Sequence, residues 1–141
     1  MTSPLLEVED LTVRFTTRDG QVTVLDEVSF TLQPGERISF VGESGCGKSM
    51  TALAVMGLLP AMGKVCGGAI RFKGEDLTTV DEARMRQIRG NEISMIFQEP
   101  MTSLNPVFTI GWQIDEALKY HTDLDKAGRR KRAIEMLDRV E

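Results

Sequence analysis

An α/β fold that opens with an antiparallel β region is the architecture this sequence predicts, and three observations predict it. Residues 5–32 alternate apolar and polar side chains on both sides of an Asp-Gly pair. Gly42 to Ser49 inserts a glycine-rich loop between an apolar run and a helix-forming run. From Ile110 onward, apolar residues recur at the three- and four-residue spacing of a helix with one buried face.

Taken in order, Leu6, Val8, Leu11, Val13 and Phe15 mark a strand from Leu5 to Phe15. Asp19-Gly20 predicts a tight hairpin, because glycine accepts positive φ without steric cost, and Val22 to Leu25 returns as the partner strand. Val28 to Leu32 alternates again and stops at Pro34-Gly35, a turn pair. Glu36 to Val41 predicts a further strand running straight into the loop. A helix begins near Lys48, carried by Ala52, Leu53, Val55 and Met56, and ends between Gly57 and Pro60. Ala69 to Phe72 reads as a short strand between glycines, and Asp81 to Arg89 as a short charged helix closed by Gly90. Ile93 to Phe97 reads as a buried strand. Two helices follow, Ile110 to Tyr120 and about Lys126 to Glu141, the second expected to turn Ile134, Leu137 and Val140 inward.

Composition narrows the function. The 141 residues suit one domain with a core, and 41% hydrophobic with 27% charged residues is an ordinary globular balance. A net charge of -4 gives no general positive field to gather nucleic acid, so any phosphate recognition must be local. The apolar stretch Ala52 to Leu59 falls far short of the roughly 20 residues that span a bilayer. No basic head and apolar run opens the chain, which makes the cytoplasm the expected compartment and reduced thiols the expected state of Cys46 and Cys66.

Gly42-Glu43-Ser44-Gly45-Cys46-Gly47-Lys48-Ser49 fits G-x-x-x-x-G-K-[ST], the phosphate loop, and both flanking elements are those the motif requires. Its glycines let consecutive N–H groups turn inward, and their partial charges add to those of the helix N-terminus. ATP is the expected ligand, contacted by Gly42 to Ser49 and the following Met50. Lys48 would reach the β- and γ-phosphates, and the Ser49 hydroxyl would ligate Mg²⁺. Cys46 lies inside the nest, where Lys48 and the helix dipole favour thiolate, so alkylation blocked by nucleotide is expected.

A phosphate loop alone serves kinases, GTPases, helicases and transporters alike. The segment Phe97-Gln98-Glu99-Pro100-Met101-Thr102-Ser103-Leu104-Asn105-Pro106 closely resembles the Q-loop region of ABC ATPases that drive dipeptide and oligopeptide uptake. Val41 to Ser49, Gly57-Leu58-Leu59-Pro60 and the helix from Gly111 to Leu118 agree with that family. The resemblance implies a P-loop NTPase (ABC ATPase) core. Residues 1–35 would be an antiparallel β region, 36–98 the core up to the Q-loop, and 99–141 the Q-loop and the start of a helical subdomain. It further implies that Gln98 contacts Mg²⁺ and positions the attacking water, that Phe15 stacks on adenine, and that Glu99 to Pro106 receives a coupling helix from transmembrane permease subunits. A second ATPase subunit would join head to tail, at the cytoplasmic face of a prokaryotic inner membrane.

The sequence also departs from a complete member of that family. Ile93 to Phe97 followed by Gln98-Glu99 imitates a Walker B strand, but Gln98 is neutral where an aspartate must hold the metal. The family's LSGGQ-type signature, Walker B glutamate and switch histidine do not occur in these residues. The chain is therefore expected to be the N-terminal portion of a transport ATPase; the alternative is a truncated product that binds nucleotide or a partner without hydrolysis. His121 is expected at a solvated helix end, and Arg129-Arg130-Lys131-Arg132 on a solvated face.

Overall fold

The structure, a computed structural model, describes residues 3–99 and 103–140. Its chain divides into two compact units, residues 1–85 and 86–141. The first holds strands β1 (Leu6–Thr17), β2 (Gly20–Leu32), β3 (Gly63–Phe72) and β4 (Glu75–Asp76), with helix α1 (Lys48–Val55). All the strand pairs are antiparallel, in the order β2-β1-β3-β4. Helix α2 (Glu82–Ile88) starts at Asp81, whose carboxylate accepts from the Arg84 N–H at 2.8 Å. The second unit carries α3 (Ile110–His121) and α4 (Lys126–Asp138), opened by Thr109 and Asp125 as side-chain caps.

The alternation in β1 slips by one residue between Val8 and Leu11, and the structure absorbs the slip with a bulge. Val8 faces Phe30, Leu11 faces Val28 and Val13 faces Leu25, with register shifts between them. Asp10 takes φ 47 and Glu27 φ 48 to make room for the extra residues. The bulges are held by side chains: the Asp10 N–H donates to Ser29 Oγ at 2.8 Å, and the Glu27 N–H to Thr12 Oγ1 at 3.3 Å. The result keeps Val8, Leu11, Val13 and Leu25 buried on one side, joined in the core by Ile70, Phe72, Ala54, Val55 and Met56.

Several expectations shift. The two short strands Val22 to Leu25 and Val28 to Leu32 are one continuous β2, because the Glu27 bulge preserves pairing with β1. The hairpin turn is Arg18-Asp19, with Thr17 paired to Gly20 and Gly20 at φ 123, one residue earlier than the Asp-Gly pair suggested. The strand at Ala69 to Phe72 is longer, starting at Gly63, since Gly68 at φ 80 forms a bulge and does not stop it.

Glu36 to Val41 and Ile93 to Phe97 are not strands; beyond a single bridge from Arg89 to Ile93, neither segment has ladder partners among the described residues. An apolar run becomes a strand only where a neighbour takes up its N–H and C=O groups. Phe40 instead meets Phe30 edge to face, centroids 5.0 Å apart. On α4 only Ala133 is buried and Ile134 and Leu137 are exposed; the helix ends at Asp138, short of the expected Glu141, so Val140 lies beyond it and is exposed too. Ile134 and Leu137 line an open groove of about 410 Å³ with Trp112, so the apolar face exists but no described element fills it.

A Cβ placed at Gly68 would collide with the Glu9 carbonyl oxygen and stand 2.5 Å from the Asp10 carbonyl carbon, whereas one at Gly74, also at positive φ, would meet nothing within 4 Å. Gly68→Ala should therefore cost roughly 2–4 kcal/mol in urea unfolding and Gly74→Ala only about 1 kcal/mol. Equal losses would show that backbone strain alone, and not the close approach of β1, fixes Gly68.

The α3–α4 pair is tied by Arg129, whose Nε donates to Asp115 at 2.8 Å and whose Nη1 donates to the Leu124 carbonyl at 3.0 Å. The hydrogen bond from Arg129, with the guanidinium charge behind it, holds the Asp115 carboxyl below its ordinary value. A carboxylate depressed in the folded state stabilises above its unfolded pKa of about 3.9, and that support is lost as pH falls through the lower folded value. Helicity of the second unit, followed by circular dichroism, should hold from neutral pH to about pH 4 and fall below it. Asp115→Asn should lower helicity at neutral pH and blunt the acid step; an unchanged acid step would assign it to other carboxylates.

Candidate functional site

The loop at residues 42–49 belongs to the first unit and is shaped by glycine. Gly45 and Gly47 take φ 85 and φ 95, where a side chain would be strained. At Gly42 a Cβ would stand 2.6 Å from Cys46 Sγ, so a side chain there would push the thiol aside. The Lys48 ammonium spans the loop, donating to the Gly42 and Glu43 carbonyl oxygens at 2.7 Å each and to Cys46 Sγ at 3.3 Å. It thus holds the loop closed from within, a support that the motif's phosphate role did not suggest.

Helix α1 begins at Gly47 with no side-chain cap and no acidic residue in its first turn. Among the described residues nothing accepts from the N–H groups of Gly47, Lys48, Ser49 and Met50. Four donors without acceptors, at the end of a loop that an ammonium group spans, suit an anion. The Ser49 hydroxyl is exposed and has no partner among the described residues, leaving it open to a cation. Glu43, Ser44, Gly45 and Cys46 are exposed around the rim and Met50 is half-buried. This donor set, with small residues where bulk would obstruct, fits a phosphate chain and its metal.

Sequence reasoning missed the loop's two supports. Thr51, buried on α1, donates its hydroxyl to the Gly47 carbonyl at 3.0 Å. Leu25 of β2, also buried, lies beneath the same residue, its Cδ2 2.7 Å from where a Gly47 Cβ would be. Thr51 belongs to no motif, and none links Leu25 to a glycine 22 residues further along the chain.

Phe15 is half-buried near the hairpin end of β1, paired with Val22 and Gly63, and its ring covers Gly63, where a Cβ would be 2.5 Å from Cε1. Gln98 is in the second unit, exposed, at the end of the unpaired stretch after Ile93. Of the segment Glu99 to Pro106, residues 100–102 lie outside the described residues. The remainder is organised by Gln113 of α3, a residue no motif flagged. Its Nε2 donates to the Asn105 and Phe108 carbonyls at 2.9 and 3.0 Å, and its Oε1 accepts from the Asn105 N–H at 2.9 Å. His121 is the last residue of α3, at the helix end as expected, and is half-buried with its ring beside Gly90.

Residues 25–141 match the family model described as ABC transporter. The chain belongs to the ABC transporter family. It is 53% identical over 139 residues to a peptide import ATP-binding protein of Brucella abortus, covering 99% of this chain and 42% of that one. It is 50% identical to the oligopeptide transport ATP-binding protein OppD of Haemophilus influenzae, covering 98% of this chain and 42% of the relative. The chain thus spans about 42% of the length of the curated relatives it matches. Its fold is similar to the dimeric structure of MJ0796, a bacterial ABC transporter cassette, with a TM-score of 0.77 and 25% identity over 94% of this chain and 56% of that one. The phosphate loop and Gln98 fall inside the matched ABC transporter span, and Phe15 precedes it. Among the described residues no helix is long and apolar enough to cross a membrane.

Proposed function

We propose that this chain is the nucleotide-holding part of an ABC transporter ATPase serving peptide or oligopeptide import, with ATP and Mg²⁺ bound at residues 42–50. The observation that carries the reading is the uncapped start of α1 facing an ammonium group, in a chain whose relatives are named peptide import ATP-binding proteins. Backbone N–H groups of Gly47 to Met50 would take the phosphate oxygens. Lys48 would give up its contact with Cys46 Sγ, the longest of its three, to reach the β- and γ-phosphates. Ser49 would ligate the metal. When bound, MgATP supplies the phosphoanhydride whose hydrolysis drives transport in this family.

Other residues take finer roles in this reading. The Gln98 amide, exposed and uncharged, would meet the metal and orient the attacking water, and Phe15 would offer its ring to adenine, which needs no particular hydrogen-bond pattern. Residues 99–106, stiffened by Gln113 at their C-terminal end, would receive a permease helix. A second ATPase subunit would complete the head-to-tail pair, as the dimeric cassette of similar fold suggests. The relatives are bacterial and named for import, which supports a peripheral place on the cytoplasmic side of the inner membrane.

Isothermal calorimetry with MgATP should register binding, and Lys48→Ala should weaken it at least about tenfold, since a hydrogen bond to a charged group contributes roughly 1.5–3 kcal/mol. In parallel, alkylation of the exposed Cys46 should slow when MgATP is present and not when adenosine is. Absence of heat together with an unprotected Cys46 would overturn the assignment.

A further inference from the structure

The geometry points to Thr51 as a positioning residue of the phosphate loop, acting through the Gly47 carbonyl to aim the Lys48 N–H; the inference rests on the phosphate-binding role proposed above. Thr51 is the buried polar side chain of the described core, 5% exposed. A buried hydroxyl needs a partner, and this one finds the Gly47 oxygen at 3.0 Å, where the Thr51 N–H also donates at 2.9 Å. Threonine often back-bonds in this way inside helices. Here the acceptor is different in kind: it belongs to the left-handed residue, φ 95, that joins loop to helix.

The consequence follows from the planarity of the peptide. The Gly47 C=O and the Lys48 N–H share one rigid trans unit and point in opposite directions. Two donors from Thr51 fix the oxygen along the helix, so the N–H is fixed in the opposite direction, away from the helix. Leu25 packs against the same residue, its Cδ2 2.7 Å from where a Gly47 Cβ would be. Gly47 is buried although its neighbours Cys46 and Ser49 are exposed, which marks it as the anchored point of an open loop. A left-handed glycine has several conformations within easy reach; the hydroxyl and the leucine select one. An amide already aimed at its acceptor loses less freedom on binding.

Thr51→Val keeps the shape and removes the hydroxyl, and Thr51→Ser keeps the hydroxyl and removes the methyl. The variants are compared in the full 141-residue chain by calorimetry with MgATP and with magnesium pyrophosphate, and by ¹⁵N relaxation of the Lys48 amide without ligand. Thr51→Val should weaken both ligands about three- to tenfold, the range of one neutral hydrogen bond, and make the Lys48 amide mobile, while Thr51→Ser stays close to wild type in both. Val binding within twofold of wild type with a rigid Lys48 amide, or Ser behaving like Val, would overturn the inference. If wild type itself binds neither ligand, the phosphate-binding reading fails, and the relaxation comparison still decides whether Thr51 holds the peptide.

Discussion

Four backbone amides at the start of α1 have no acceptor among the described residues, and the local sequence is arranged to keep them so. An N-cap of Ser, Thr, Asp or Asn would satisfy one of them and stabilise the helix by about 1 kcal/mol. Gly47 occupies that position instead, and no acid follows in the first turn. An eight-residue helix is marginal alone and must be held from elsewhere. Its other end is closed by a Schellman turn, the Leu58 N–H reaching the Leu53 carbonyl at 2.8 Å and Gly57, at φ 61, reaching Ala54 at 3.0 Å. Ala54, Val55 and Met56 are buried. The helix is secured at its C-terminus and along one face, which leaves its N-terminus available for a ligand.

The same accounting of backbone donors and acceptors explains which extended segments became strands. β1 is flanked by β2 and β3 over nearly its whole length, so its groups are taken up on both sides. Glu36 to Val41 is as apolar as β1, yet it has no ladder partner among the described residues, and Val41 is 94% exposed. Ile93 to Phe97 shows the same pattern, with Ile96 at 98%. Side-chain pattern reports what a segment could bury; pairing decides whether it is a strand.

That distinction marks how far the sequence could be read. The phosphate loop was legible down to single residues, because its glycines and lysine are constrained by local geometry that any eight-residue window contains. Helix limits were legible for the same reason: Thr109, Asp125 and Gly57 are caps and stops that act within one turn. The bulges were half legible, present as a slipped alternation at Glu9-Asp10 but hidden at Asp26-Glu27, where the slip resembled a break between two strands. Gly67-Gly68 looked like a terminator, since nothing local says that β1 passes too close for a side chain. Leu25 under Gly47 and Gln113 across the 105–108 turn depend on contacts made through space, and no spacing in the chain encodes them. The inward face expected of α4 rested on apolar spacing alone, and spacing does not supply an element that would cover Ile134 and Leu137, which are exposed.

The lysine shows how an acidic chain can still receive an anion. With a net charge of -4, attraction must come from one place, and the ammonium of Lys48 is already committed there. It has three protons to donate, and three acceptors face it: two carbonyl oxygens at 2.7 Å and a thiol sulfur at 3.3 Å. A phosphate oxygen can be accommodated only if one contact is given up. Sulfur is the weakest acceptor of the three and is held at the longest distance. In the proposed reading, exchanging it would cost least and would leave both carbonyl bonds to keep the loop closed as a phosphate entered. On that reading the cysteine in the fifth position of the motif would make the lysine easier to recruit than a third carbonyl would, and the loop would not have to open for its cation to change partners.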